Sequence, residues 1–122
     1  MTYNELRNNL VVGSAVITFF KANGETRVML CTRNPAMASS FGSSLGGALS
    51  IRDNKMTNGK TMAVIDLEKK DIRAFTFDKV IKVNLFGDMR DKQEYDKAVG
   101  LMNSIRKCIS DNKLSIDGFS NL

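Results

Sequence analysis

The sequence predicts a mainly β domain with flanking helices: a small five-stranded antiparallel barrel, a short N-terminal helix before it and a C-terminal amphipathic helix after it. Three observations point there. Two pairs of β-branched and aromatic runs are each joined by turn residues. A fifth short run of the same kind follows them. The tail then switches to apolar residues at spacings of three and four.

Residues Thr2 to Asn9 read as the first helix. Thr2 is a capping hydroxyl, Glu5 stands three residues on, and Leu6 and Leu10 are one turn apart. Asn8-Asn9 is expected to end it. The strands of the barrel fall within residues 11–35 and 61–83. Val16-Ile17-Thr18-Phe19-Phe20 is strand-like in composition, and Asn23-Gly24 is the hairpin signal because both residues tolerate positive φ. Thr26 to Thr32 then alternates, with Thr26, Val28 and Leu30 on one face and Arg27, Met29 and Cys31 on the other. Asn34-Pro35 stops the strand.

Residues 36–60 are rich in Ser, Gly and Ala and read as a flexible connection, since such residues cost entropy to order and pack little. Phe41, Leu45, Leu49 and Ile51 within it are alternatively a weak helix or a docking surface. Beyond it, Thr61 to Asp66 alternates, Glu68-Lys69-Lys70-Asp71 is a charged turn, Ile72 to Phe77 returns, and Val80 to Val83 is the fifth strand. Tyr95, Val99, Met102, Ile105 and Ile109 mark a helix over about 91–112, capped by Asp91 or Asp88 and ended by Asn112. Leu114 to Leu122 reads as a loose terminus.

At 122 residues the chain fits one domain, residues 1–122. No apolar run approaches the ~20 residues of a membrane span, and the first residues lack the basic-then-apolar order of a secretory signal. The expectation is a cytoplasmic protein without a membrane partner. Cys31 and Cys108 are read as buried free thiols.

The chemistry that is missing narrows the function. There is no His, so the commonest general base and metal ligand are absent. Two isolated Cys do not make a tetrahedral zinc site. Gly59-Lys60-Thr61 mimics the end of a phosphate-binding loop, but the upstream Gly is missing and a strand follows. Glu68, Asp71 and Asp78 each stand beside a Lys, as solvated turns do. The expectation is a non-enzyme with no cofactor and no metal.

The net charge of +5 sits in the first two-thirds: residues 1–35 and 36–60 each carry +2, residues 61–83 carry +1, and residues 84–122 are balanced. Arg27, Arg33 and Arg73 stand on or at the edge of predicted strands, and Lys69 and Lys70 crown the second hairpin. Guanidinium forks suit phosphate oxygens. Phe75 and Phe77, two and four residues after Arg73, are base-stacking candidates if exposed, or core with Arg73 a surface or structural ion-pair residue.

Two segments, residues 16–35 and 63–80, resemble a WYL-like small β-barrel family of tailed bacteriophages. The first carries a strand–Lys21-x-x-Gly24-x-x-Arg27–strand hairpin ending in Thr32-x-Asn34-Pro35. The second carries Asp66, then Arg73-x-Phe75-x-x-Asp78. The resemblance implies an Sm/SH3-like barrel, a phage origin and a regulatory or nucleic-acid-sensing role, with Arg73 at a place that often lines the family's binding surface. Ile72 departs from the usual Trp and Thr76 from a second Arg.

Together these readings give two expectations. The first is a non-catalytic phage accessory module, regulatory or nucleic-acid-binding, that meets the phosphates of DNA or RNA through Arg27, Arg33, Lys69, Lys70 and Arg73. The second is a protein-interaction module that inhibits or redirects a host protein. It would use exposed strand edges, Phe41, Leu45 and the C-terminal helix, as a monomer or a homo-oligomer.

Overall fold

The structure is a computed structural model, and it describes residues 1–42 and 60–111. Helix α1 spans Tyr3–Val12. The Thr2 hydroxyl accepts the Glu5 N–H at 3.1 Å, as the capping pattern predicts. The helix does not stop at Asn8-Asn9. The Asn9 side chain donates back to the Glu5 carbonyl at 2.8 Å, and the helix continues for another turn. It ends at Gly13, where a Cβ would stand 2.8 Å from the Phe86 carbonyl oxygen, so only glycine admits the approach of β5.

Strands β1 (Ser14–Phe20) and β2 (Thr26–Thr32) pair antiparallel along their whole length. In the turn between them, Gly24 N–H donates to the Lys21 carbonyl and Lys21 N–H to that of Glu25. Gly24 takes φ 87°, while Asn23 does not turn left-handed. Asn23 serves instead through its side chain, which accepts the Glu25 N–H. The Asn-Gly signal thus marks a three-residue loop with a left-handed glycine, not a two-residue turn.

Asn34-Pro35 does more than stop β2. Asn34 caps a helix, α2 (Pro35–Ser40), by accepting the Met37 N–H at 3.0 Å, and Pro35 occupies the first helical position, where a missing N–H costs nothing. Met37 and Ala38 are fully buried. The start of the predicted flexible connection is therefore an anchored helix. Leu45, Leu49, Ile51 and Asn58-Gly59 lie outside the described residues, as do Asn112 and residues 114–122.

Strands β3 (Thr61–Asp66) and β4 (Asp71–Thr76) form the second hairpin. Its turn is organised by Asp66, whose Oδ1 accepts the N–H groups of Glu68 and Lys69 at 2.9 and 3.0 Å. A 3₁₀ turn, Phe77–Lys79, leads to β5 (Val80–Phe86), which runs three residues further than predicted. Helix α3 spans Lys92–Ser110, and Asp91 caps it.

The sheet order is β4-β3-β2-β1-β5, all antiparallel. The closed barrel predicted from the sequence does not form; the sheet is open, with β4 and β5 as its two edges. The offset between the hairpins explains this. β2 and β3 share only the pairs Cys31↔Asp66 and Thr32↔Ile65, so the second hairpin is displaced along the strand direction. A bulge at Thr18/Phe19 then shifts β5 on β1.

Both faces of the sheet are covered, which is why β1 and β3 read as nearly continuous apolar runs. One face carries Ala15, Ile17, Met29, Val64 and Phe75 under Leu6 and Leu10 of α1. The other carries Val16, Val28 and Leu30 under Met37 of α2 and Ala98, Met102 and Ile105 of α3. The alternation read in Thr26–Thr32 is the division between these two cores. Cys31 is buried and Cys108 half-buried, both as free thiols. Burial, and secondarily the nearby Asp66 carboxylate, push the Cys31 thiol well above its ordinary value. Among the described residues no helix is long and apolar enough to cross a membrane.

A cationic cleft at the open seam

The five cations predicted as a binding set are not brought together. Arg33 is 7% exposed, and its Nη1 donates to the Ala63 carbonyl while its backbone N–H donates to the Leu10 carbonyl. It ties β2, β3 and α1 to one another and cannot reach a phosphate in solvent. This corrects the sequence reading, which took its position after a strand as surface. Lys70 turns away on the left-handed backbone of the second hairpin, φ 57°, and borders a shallow depression with Phe41 and Tyr95. Phe41 is likewise no open contact surface. Its ring lies against Tyr95 with centroids 5.5 Å apart, half-buried on the α3 core.

Arg27, Lys69 and Arg73 fall on two neighbouring clefts. The first is a groove of about 400 Å³ between the β1–β2 hairpin, the 67–70 turn and the end of α3. Its walls hold Lys21, Arg27, Lys69 and Arg106, but also Glu25, Asp66 and Glu68. The charges are largely matched in pairs. Lys21 faces Glu25 at 3.5 Å and Arg27 Nη2 faces Asp66 Oδ2 at 3.5 Å. Arg106 binds the Glu68 carboxylate with both Nη atoms, at 3.1 and 2.5 Å, and Nη2 also donates to the Val28 carbonyl. This double hydrogen bond holds the Glu68 carboxyl below the usual carboxylate range and raises Arg106 in turn. The groove is a structural clasp between α3 and the second hairpin.

The second cleft, of about 260 Å³, lies at the open seam where β4 faces the β1–β2 hairpin. Phe19 and Phe75 floor it; both are buried, so the base-stacking role proposed for Phe75 does not hold. Phe77 is half-buried edge-on against Tyr3, centroids 5.9 Å apart. The rim carries four cations, Lys21, Arg27, Arg73 and Lys79, and no carboxylate lines the cleft. Phe20, at its edge, is 46% exposed. Arg73 meets Asp71 at 3.3 Å outside the lining, in an exposed pair of the kind that holds weakly. Its Nε is buried and has no hydrogen-bond partner.

Sequence reasoning therefore found two of the four rim cations. Lys21 was visible in the Lys21-x-x-Gly24-x-x-Arg27 hairpin motif. Lys79 reads in the sequence as the turn partner of its neighbour Asp78, and Phe20 as one more strand residue. Only the curl of the sheet sets these beside Arg73.

Comparison with known proteins gives no further guide: the chain matches no protein-family model, no curated protein and no solved structure.

Proposed function

We propose that this protein is a non-catalytic module that binds single-stranded nucleic acid, DNA or RNA, at the seam cleft, whose rim of Lys21, Arg27, Arg73 and Lys79 supplies three to four phosphate contacts, with a base against Phe20. The observation that carries this reading is the lining of the cleft: four cations, no carboxylate, an exposed aromatic ring at the edge, and a buried guanidinium N–H without a partner. Its volume is below the ~300–1,000 Å³ of drug-sized ligand sites, which suits one residue of a flexible strand better than a stiff duplex. Stacking on Phe20 is sequence-tolerant because every base has a π-face. The absence of His from the sequence supports a binding role over catalysis.

The resemblance to the WYL-like phage family extends this proposal to an accessory role in phage takeover of the host cytoplasm. It also extends it to kinship with Sm/SH3-like small barrels, opened here along one seam. The curl that brings Phe19 of β1 against Phe75 of β4 supports that kinship.

The test is fluorescence anisotropy of a labelled single-stranded oligonucleotide over a salt series. Three to four phosphate contacts on a single strand give a log–log slope between about −2 and −3, at roughly −0.7 per contact. A duplex of the same sequence is expected to bind more weakly. No binding at low salt would overturn the proposal.

A second reading, a module that captures a host protein or another copy of itself, rests on the two sheet edges. β4 and β5 each have one side without a strand partner among the described residues, and Leu85 on β5 is 43% exposed. A host-lysate pull-down that returns one protein and no nucleic acid would favour it.

A further inference from the structure

We infer that Asp66 competes with the ligand for Arg27, so that the seam cleft works with one of its four cations tethered elsewhere. The inference rests on reading the cleft as a phosphate site. It adds a residue, Asp66, that lies outside the cleft and sets how tightly the cleft binds.

Lys21 and Arg27 line both the groove and the seam cleft. They form the ridge between them. All the carboxylates of the two linings lie on the groove side, so each ridge cation has an acid behind it and open cleft in front. The two acids differ. Glu25 is 70% exposed, and its pair with Lys21 is a solvated contact that yields readily. Asp66 is 3% exposed. Its Oδ1 is fixed by the Glu68 and Lys69 N–H groups, which leaves Oδ2 aimed at Arg27.

The two tethers therefore differ in strength. A phosphate that draws Arg27 into the cleft leaves a buried carboxylate without its direct ion-pair partner, and stranding a buried charge is among the costlier changes a protein can make. A phosphate that draws Lys21 or Arg73 away leaves only an exposed carboxylate, which water solvates. In the wild-type protein Arg27 stays with Asp66, and binding runs on Lys21, Arg73 and Lys79.

Asp66→Asn removes the charge and keeps a carbonyl oxygen to accept the two turn N–H groups. Arg27 is then free to take a phosphate. The expected result is binding of a labelled single-stranded oligonucleotide that is about five- to tenfold tighter, with a salt slope steeper by about 0.7. The steeper slope is the reading that a merely structural role for Asp66 does not move. Arg27→Ala is expected to cost less than Arg73→Ala in the wild-type background and to erase the whole gain in the Asp66→Asn background. Glu25→Gln is expected to change affinity less than twofold.

A folded Asp66→Asn protein with unchanged affinity and slope overturns the inference while leaving the cleft reading intact. Failure of both proteins to bind at low salt overturns both. Should Asp66→Asn not fold, titration of the wild-type protein followed by Nε–Hε resonances decides the matter. Arg73 is expected to shift and Arg27 to stay, and an Arg27 shift as large as that of Arg73 overturns the inference.

Discussion

Phe19 of β1 and Phe75 of β4 touch, with ring centroids 5.6 Å apart, although their strands stand three places apart in the sheet. In a flat sheet that separation is about 14 Å. The sheet therefore curls until its first and fourth strands meet through side chains, where a closed barrel would join strands by hydrogen bonds. The same two rings floor the seam cleft, so the contact that holds the curl also supports the proposed binding surface.

The first prediction concerns that contact. Phe75→Ala removes a buried ring and opens a cavity, and is expected to cost about 3–5 kcal/mol in urea unfolding. Phe75→Leu is expected to cost less, since leucine refills part of the space. Equal effects of the two would contradict a ring-specific role.

Much of this curl's framework was legible in the sequence. The first hairpin was marked by Asn23-Gly24 and by strict alternation, α1 by Thr2 and Glu5, and α3 by the spacing of Tyr95, Met102 and Ile105. α2 is masked in the sequence, although Asn34-Pro35 is a cap followed by a first-turn proline, because ahead of a Ser/Gly/Ala-rich stretch the same pair also reads as a strand stop. The burial of Arg33 was not legible, because a guanidinium after a strand reads as surface until the Ala63 carbonyl is seen to accept from it. The seam cleft depends on contacts between residues far apart in sequence, which no local pattern encodes.

Arg33 and Arg73 should behave in opposite ways. Arg33→Ala leaves a buried cavity and takes the guanidinium donor from the Ala63 carbonyl, and is expected to lower stability by about 2–4 kcal/mol. Arg73→Ala is expected to leave the unfolding midpoint nearly unchanged while it weakens oligonucleotide binding. Thermal unfolding and anisotropy on the same preparations check both.

Lys70 provides a prediction of increased stability. It is the one non-glycine residue with positive φ among those described, and a left-handed conformation costs a residue with a Cβ roughly 1–2 kcal/mol. Lys70→Gly is expected to raise stability by up to about 1 kcal/mol, after the entropy that glycine loses on folding. Because Lys70 lies away from the cleft, oligonucleotide affinity is expected to change less than twofold.

The Glu68–Arg106 clasp predicts an acid limb. The carboxyl of Glu68 is lowered in the folded protein, first by its hydrogen bond from Arg106. Its stabilisation is thus complete above the unfolded glutamate value of about 4.3 and fades as pH falls through the lower folded value. Glu68→Gln is expected to flatten that part of the stability–pH curve, measured by chemical unfolding between pH 6 and about pH 3. A wild-type curve that the substitution leaves unaltered would contradict the clasp.

The most direct test of the central claim is the salt dependence of single-strand binding for the wild type and for a Lys79→Ala, Arg73→Ala double variant. The account predicts that removing two cleft cations lowers affinity at every salt concentration and makes the log–log slope shallower by about 1.4. A folded double variant that binds with the wild-type affinity and slope would place the nucleic acid elsewhere and contradict the account.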